Sequence, residues 1–81
     1  MYHLYIVRCA DTTLYTGITT DVVRRVMEHN TSRVGAKYTR GRRPVTLVYT
    51  RRFRTRANAA REEARVKALS RLEKSFLVES T

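Results

Sequence analysis

The sequence predicts an α/β fold of the α+β kind, in which a β-hairpin and a third strand are joined and followed by helices. Three observations predict it. Two short segments rich in aromatic and β-branched residues flank a polar break near the start. A third such segment follows the single proline, and the stretches after Asp21 and after Thr55 carry apolar or small residues at helical spacing.

Tyr2 to Val7 is the first strand, Asp11, Thr12 and Thr13 form the break, and Leu14 to Ile18 is the second strand. If the hairpin pairs with an even register sum, Tyr5 and Tyr15 share a face and lie opposite or diagonal; a slip of one residue would part them. Gly17 on that face leaves a gap where another group can approach the backbone. Thr20 or Asp21 caps a helix running to Asn30, with Val22, Val23, Val26 and Met27 as its buried side. Arg25 and His29 are one turn apart at the border of that side, away from the far face where solvating charges belong.

Thr31 to Arg43 is a basic loop with Gly35 and Gly41, expected to stay mobile until something anionic binds. Pro44 opens the third strand, Val45 to Thr50, whose Val45, Leu47 and Tyr49 alternate with Thr46 and Val48. Arg51 to Arg56 is a second basic connection. Thr55 then caps a helix to about Leu69, with Ala57, Ala60, Ala64 and Ala68 as a small-residue stripe for close packing on a sheet. Glu63 is expected to face inward at the stripe's edge and Glu62 outward. Ser70 starts a last short helix anchored by Leu72, Phe76, Leu77 and Val78.

The 81 residues are expected to form one domain, 1–81, near the size at which a single core buries only about 60% of the unfolded surface. Cys9 has no intramolecular partner and no Cys/His group has structural-zinc spacing, so packing must hold the fold, and a reducing, cytoplasmic setting is expected. No apolar run approaches the roughly 18 residues of a membrane span, and Met1 to Ala10 lacks the pattern of a signal peptide. Seventeen Lys and Arg against seven Asp and Glu give a net charge of +10, which calls for a polyanionic partner. Most of these cations are Arg, whose planar fork pairs with phosphate and stacks on bases, so nucleic acid is expected ahead of a membrane surface.

Cleaving a phosphodiester needs an activated water, charge neutralisation at phosphorus and help for the leaving oxygen. Glu63 suits Mg2+, which is commonly held by one carboxylate with waters and substrate oxygens. Arg25 would brace the phosphate. A tyrosine base starts from a pKa of about 10, roughly three units or 4 kcal/mol from working pH, and the surrounding cations would have to supply that shift. Each residue also has a plainer reading: strand tyrosines pack, His29 complements a helix C-terminus, and Glu63 with Lys67 makes an i,i+4 ion pair. Spacing alone leaves the two readings open.

Leu4-Tyr5, then Tyr15-Thr16-Gly17, then Arg24-Arg25-Val26 with His29-Asn30, then Glu63, resemble the motifs of the GIY-YIG nuclease superfamily over nearly the whole chain. The strings LYTGITTD from Leu14, GAKYT from Gly35 and RVKAL from Arg65 resemble its small single-domain bacterial, YhbQ-like branch. The resemblance implies a three-stranded antiparallel sheet flanked by helices. It also implies a site in which Tyr5 is the first-motif tyrosine, Tyr15 stands where relatives place the general base, and Gly17 is a close-approach glycine. Arg25 would bind phosphate, His29 would occupy a position that relatives fill with His or Tyr, and Glu63 would hold Mg2+, with Mn2+ as the alternative. Gly17, Arg24, Lys37, Tyr38, Arg40 and Lys67 are the expected substrate-binding residues.

The chain departs from the pattern at His3 for glycine, Leu4 for isoleucine and Thr16 in the second motif, and Ile18 stands where excision-repair relatives carry lysine. Relatives usually add a DNA-targeting domain, so a separate targeting protein is a candidate partner. The expected function is a Mg2+-dependent endonuclease acting on DNA ahead of RNA, in a repair setting. Branched or damaged structures are expected ahead of a fixed sequence, since no base-reading helix is evident. The alternatives are a nucleic-acid-binding module with a vestigial catalytic centre and a basic assembly patch for an acidic protein or ribosomal particle.

Overall fold

The computed structural model describes residues 1–31 and 35–80. β1 (Tyr2–Arg8) and β2 (Leu14–Thr19) form the hairpin; α1 (Val22–Thr31), α2 (Lys37–Arg40), β3 (Thr46–Phe53), α3 (Arg56–Lys67) and α4 (Arg71–Glu79) follow. The sheet has order β2-β1-β3, and both pairings are antiparallel. Ser32, Arg33 and Val34 of the expected basic loop, and Thr81, lie outside the described residues. Among the described residues no helix is long and apolar enough to cross a membrane.

Alternation along β1 splits the core into two layers. Tyr5 and Val7 join Cys9 and Val45 on one face, with Tyr15 and α1's Val22 and Val26 packed against them. Leu4 and Ile6 meet α3's Val66 on the other face, covered further by Leu69, Leu77 and Val78. The central strand is thus buried on both sides, α1 lying over one and α3 with α4 over the other.

Local chemistry sets the ends of the elements. Asp11 Oδ1 accepts the Thr13 amide N–H at 3.1 Å and its hydroxyl at 2.6 Å, closing a turn in which Thr12 takes a left-handed φ of 69°. Asp21 caps α1 by accepting the Arg24 N–H at 3.0 Å, Thr55 caps α3 through Asn58 N–H, and Ser70 with Glu73 forms a capping box on α4. Asn30 bridges the end of α1 to the approach to β3, donating to Val45 O at 3.1 Å and accepting from Val45 N–H at 2.6 Å. The peptide bond between Arg43 and Pro44 is cis.

Several expectations need correction. Val23 and Met27 are 76% and 57% exposed, because α1 buries the narrower stripe Val22, Val26 and His29. α3 turns its alanine stripe outward: Ala57, Ala64 and Ala68 are exposed, while Ala59 and Val66 are buried. Seating the larger side chains of Val66 and Leu69 removes more apolar area from water than seating methyl groups. Both acids are partly buried, the Glu62 side chain 14% exposed and Glu63 23%, so Glu62 does not point outward as expected. Leu72 and Phe76 are exposed, so Leu77 and Val78 anchor α4.

β3 runs past Thr50 to Phe53, with Arg51 Nη1 3.2 Å from Glu62 and its guanidinium 5.0 Å from the Phe53 ring centre. A register shift between Ile6 and Val7 leaves Val48 unmatched, so Leu47 and Tyr49 do not share a face. The described part of the basic loop is structured. Arg42 Nε donates to Asp11 Oδ2 at 2.9 Å, its Nη1 donates to Tyr38 O at 2.8 Å, and Ala10 N–H donates back to Arg42 O at 2.8 Å. Gly35 allows the chain to return against α1: a Cβ there would stand 2.7 Å from Glu28 O.

Candidate active site

Register pairs Tyr5 with Gly17 and Val7 with Tyr15, an even sum, so the two tyrosines are diagonal neighbours on one face. The gap over Gly17 is filled from within. A Cβ on Gly17 would stand 2.6 Å from Tyr5 Oη and 2.7 Å from its Cζ, so glycine is what lets the phenol ring lie flat across β2.

α1 brings His29 beneath that ring. Tyr5 and His29 are both almost wholly buried, with Tyr5 Oη 2.7 Å from His29 Nε2. His29 Nδ1 is 2.8 Å from the buried hydroxyl of Thr39, which is in turn 2.9 Å from Ala36 O. One proton assignment uses each of these short contacts once: Tyr5 O–H donates to Nε2, Nδ1–H donates to Thr39, and Thr39 O–H donates to Ala36 O. The Ala36 N–H, 3.4 Å from Nδ1, is the longest contact of the group.

Tyr15 completes an aromatic run. Its ring meets His29 edge-on at 5.3 Å and stacks on Tyr38 at 5.7 Å, and the Arg42 guanidinium covers the far side of Tyr38 at 4.1 Å. Tyr15 is half-buried, and its hydroxyl has no hydrogen bond among the described residues. Arg25 sits beside Tyr5 and hydrogen-bonds to it, while its Nη1 also holds Glu28 at 3.0 Å.

Burial pushes the Tyr5 phenol up to about 12; the Arg25 hydrogen bond opposes this, and the charges of Tyr15 and Glu63 add to it. Net positive charge was expected to favour phenolate, yet at Tyr5 desolvation outweighs it. The His29 imidazole is pushed below its ordinary value, first by burial and then by the charges of Arg25 and Arg43, with Glu28 opposing. His29 is therefore neutral at neutral pH.

Glu63 approaches from α3, whose Val66 packs on the face opposite α1, and its charge is nevertheless felt at Tyr5. Lys67 Nζ is 3.3 Å from Glu63, the intrahelical pair that spacing predicted. Among the described residues no three His, Cys, Asp or Glu side chains cluster. A lone, partly exposed carboxylate fits a hard divalent ion that keeps most of its waters, and it does not fit a closed zinc site. Of the expected substrate residues, Arg24, Lys37, Tyr38 and Arg40 are exposed, Lys67 is engaged by Glu63, and Gly17 lies beneath Tyr5.

Sequence reasoning missed Thr39, which holds the rear of the imidazole, and Arg42, which locks Tyr38. Thr39 lies within the GAKYT string, but a threonine's tertiary partner leaves no periodic signal. Arg42 looks the same as Arg40 and Arg43 until Asp11 is seen beside it.

The GIY-YIG catalytic domain profile matches residues 1–75. A UPF0213 protein of Halobacterium salinarum is 56% identical over 77 residues, spanning 95% of this chain and 99% of its own. One from Staphylococcus haemolyticus is 46% identical over 78 residues, spanning 96% and 94%. The solution NMR structure of a UPF0213 protein from Bacillus halodurans is 49% identical, covers all of this chain and 86% of its own, and superposes with a TM-score of 0.65.

Proposed function

The chain belongs to the GIY-YIG catalytic-domain family, and from that premise we propose that it is a divalent-metal-dependent endonuclease that hydrolyses phosphodiester bonds in DNA. The observation that carries this reading is the convergence on Tyr5. Its phenol is bonded to His29 and Arg25 and feels the charges of Tyr15 and Glu63, so two strands and two helices contribute to one centre.

The roles follow from environment. Tyr15, half-exposed with a hydroxyl that nothing in the described protein engages, can release its proton to solvent and as the phenolate take the proton of the attacking water. Arg25 binds the phosphate, exchanging Glu28 for a substrate oxygen. Tyr5 stays protonated and directs its own proton to His29, leaving its oxygen to accept from Arg25. His29 is too deep to touch substrate and acts as a positioning residue. Glu63 would hold a divalent cation such as Mg2+, which would supply charge neutralisation at the phosphate. Lys67, now paired with Glu63, would have to release that carboxylate for it to hold a cation.

Purified protein is expected to nick supercoiled or branched DNA with Mg2+, and Glu63→Ala or Tyr15→Phe to abolish nicking while DNA binding persists. Equal cleavage by the variants would overturn the assignment. A second reading, a nucleic-acid-binding module with a vestigial centre, is favoured by the pairing of Arg25 with Glu28 and Glu63 with Lys67. It predicts binding with no turnover at any Mg2+ or Mn2+ concentration.

A further inference from the structure

The sheet face that carries Tyr5 continues beyond it. Cross-strand register aligns Gly17, Tyr5 and Thr50 in one row and Thr19, His3 and Arg52 in the next. Side chains two residues apart on a strand share a face, so the second row lies on the side of the tyrosines, ~7 Å along the strands.

The two directions along this face differ. Towards Val7 it is closed by Cys9 and Val45 and by Tyr15 stacked on Tyr38. Towards His3 it is open: Thr50 and Arg52 are exposed, and His3 and Thr19 are half-buried. A polymer held at Tyr5 therefore leaves the site over the second row.

The charge there is available. Arg25, Arg42, Arg51 and Arg65 each face a carboxylate, whereas Arg52 has no ion pair among the described residues. On this face the row thus carries the Arg52 guanidinium beside the His3 imidazole and the Thr19 hydroxyl.

We propose that this row is a second backbone-phosphate subsite, held chiefly by Arg52 and lined by His3 and Thr19, for the nucleic-acid strand flanking the scissile bond. The proposal rests on the nucleic-acid reading above. It assigns a function to His3, one of the positions at which the chain departs from its family's motif.

The test is equilibrium binding of a short fluorescent branched DNA in EDTA across a series of salt concentrations, so that cleavage plays no part. Arg52→Gln should weaken binding and make the log-log salt slope shallower by about 0.7–0.9, the contribution of one lost phosphate contact. Arg52→Lys should restore most of that slope, and Arg61→Gln, a charge-matched change on α3, should leave it unchanged. An unaltered slope in Arg52→Gln, an equal loss in Arg61→Gln, or no salt-dependent binding at all would overturn the subsite. If no variant or parent cleaves DNA, the catalytic reading fails while the slope comparison stands; if cleavage is normal and the slope is unmoved, only the subsite fails.

Discussion

At the scale of single residues, Tyr5 does the opposite of what a catalytic tyrosine in a cationic domain was expected to do. With its phenol pushed up to about 12 by burial, the folded state binds that proton more tightly than the unfolded chain, where tyrosine titrates at about 10. Its contribution to stability is therefore complete below pH ~10 and is lost as pH rises through ~12, amounting to ~3 kcal/mol. Absorbance titration should show a tyrosine phase near pH 12, and Tyr5→Phe should remove it. Gly17→Ala would set a methyl 2.6 Å from Tyr5 Oη, and the ring is pinned by His29, so a loss of about 1–3 kcal/mol in chemical denaturation is expected. Thr16 Oγ1, on the α3 face, is buried without a hydrogen-bond partner among the described residues. Thr16→Val keeps the shape and removes the unmet hydroxyl, and it should raise stability by about 1 kcal/mol; a fall would mean that a partner exists.

At the scale of elements, strands and caps were legible in the sequence because they depend on local chemistry. The hairpin and the caps at Thr55 and Ser70 follow from neighbours along the chain, which also narrowed the α1 cap to Thr20 or Asp21 but left the register parity of Tyr5 and Tyr15 open. The rotation of α3 was not legible. A stripe of four alanines and a stripe through Ala59, Val66 and Leu69 are both compatible with a helix, and only the volume available above Leu4 and Ile6 decides between them. α2 was also out of reach, since a four-residue helix has little stability of its own and is held here by Asp11 through Arg42. Asp11→Ala should speed amide exchange in Lys37–Arg40 and leave global stability nearly unchanged. Thr13 hydrogen bonds, with help from Arg42 and against desolvation, hold the Asp11 carboxyl below its usual range. The dock is accordingly intact above the usual carboxylate pKa and loosens as pH falls through that lowered value. NMR exchange or chemical shifts of α2 measured through the acid range would check this.

At the scale of the whole molecule, the charge of +10 was the plainest property in the sequence, and it sets how the protein meets a polyanion. Contact with about five phosphates predicts a log-log salt slope of roughly −4 for DNA binding; a slope near zero would remove phosphate as the main source of affinity. Of the five residues expected to act together, His29, Arg25 and Tyr15 adjoin Tyr5, and the charge of Glu63 is felt there. Their order along the chain could not show that burial keeps one phenol protonated while the other stays half-exposed. The stacked pair Tyr15 and Tyr38 has a practical corollary. The chain has no tryptophan, so its ultraviolet emission is that of phenols alone, and Tyr38→Trp would place one long-wavelength emitter within energy-transfer range of the centre. Substrate entering beside Tyr15 would then change the colour of the light, giving the centre an optical readout that needs no attached dye.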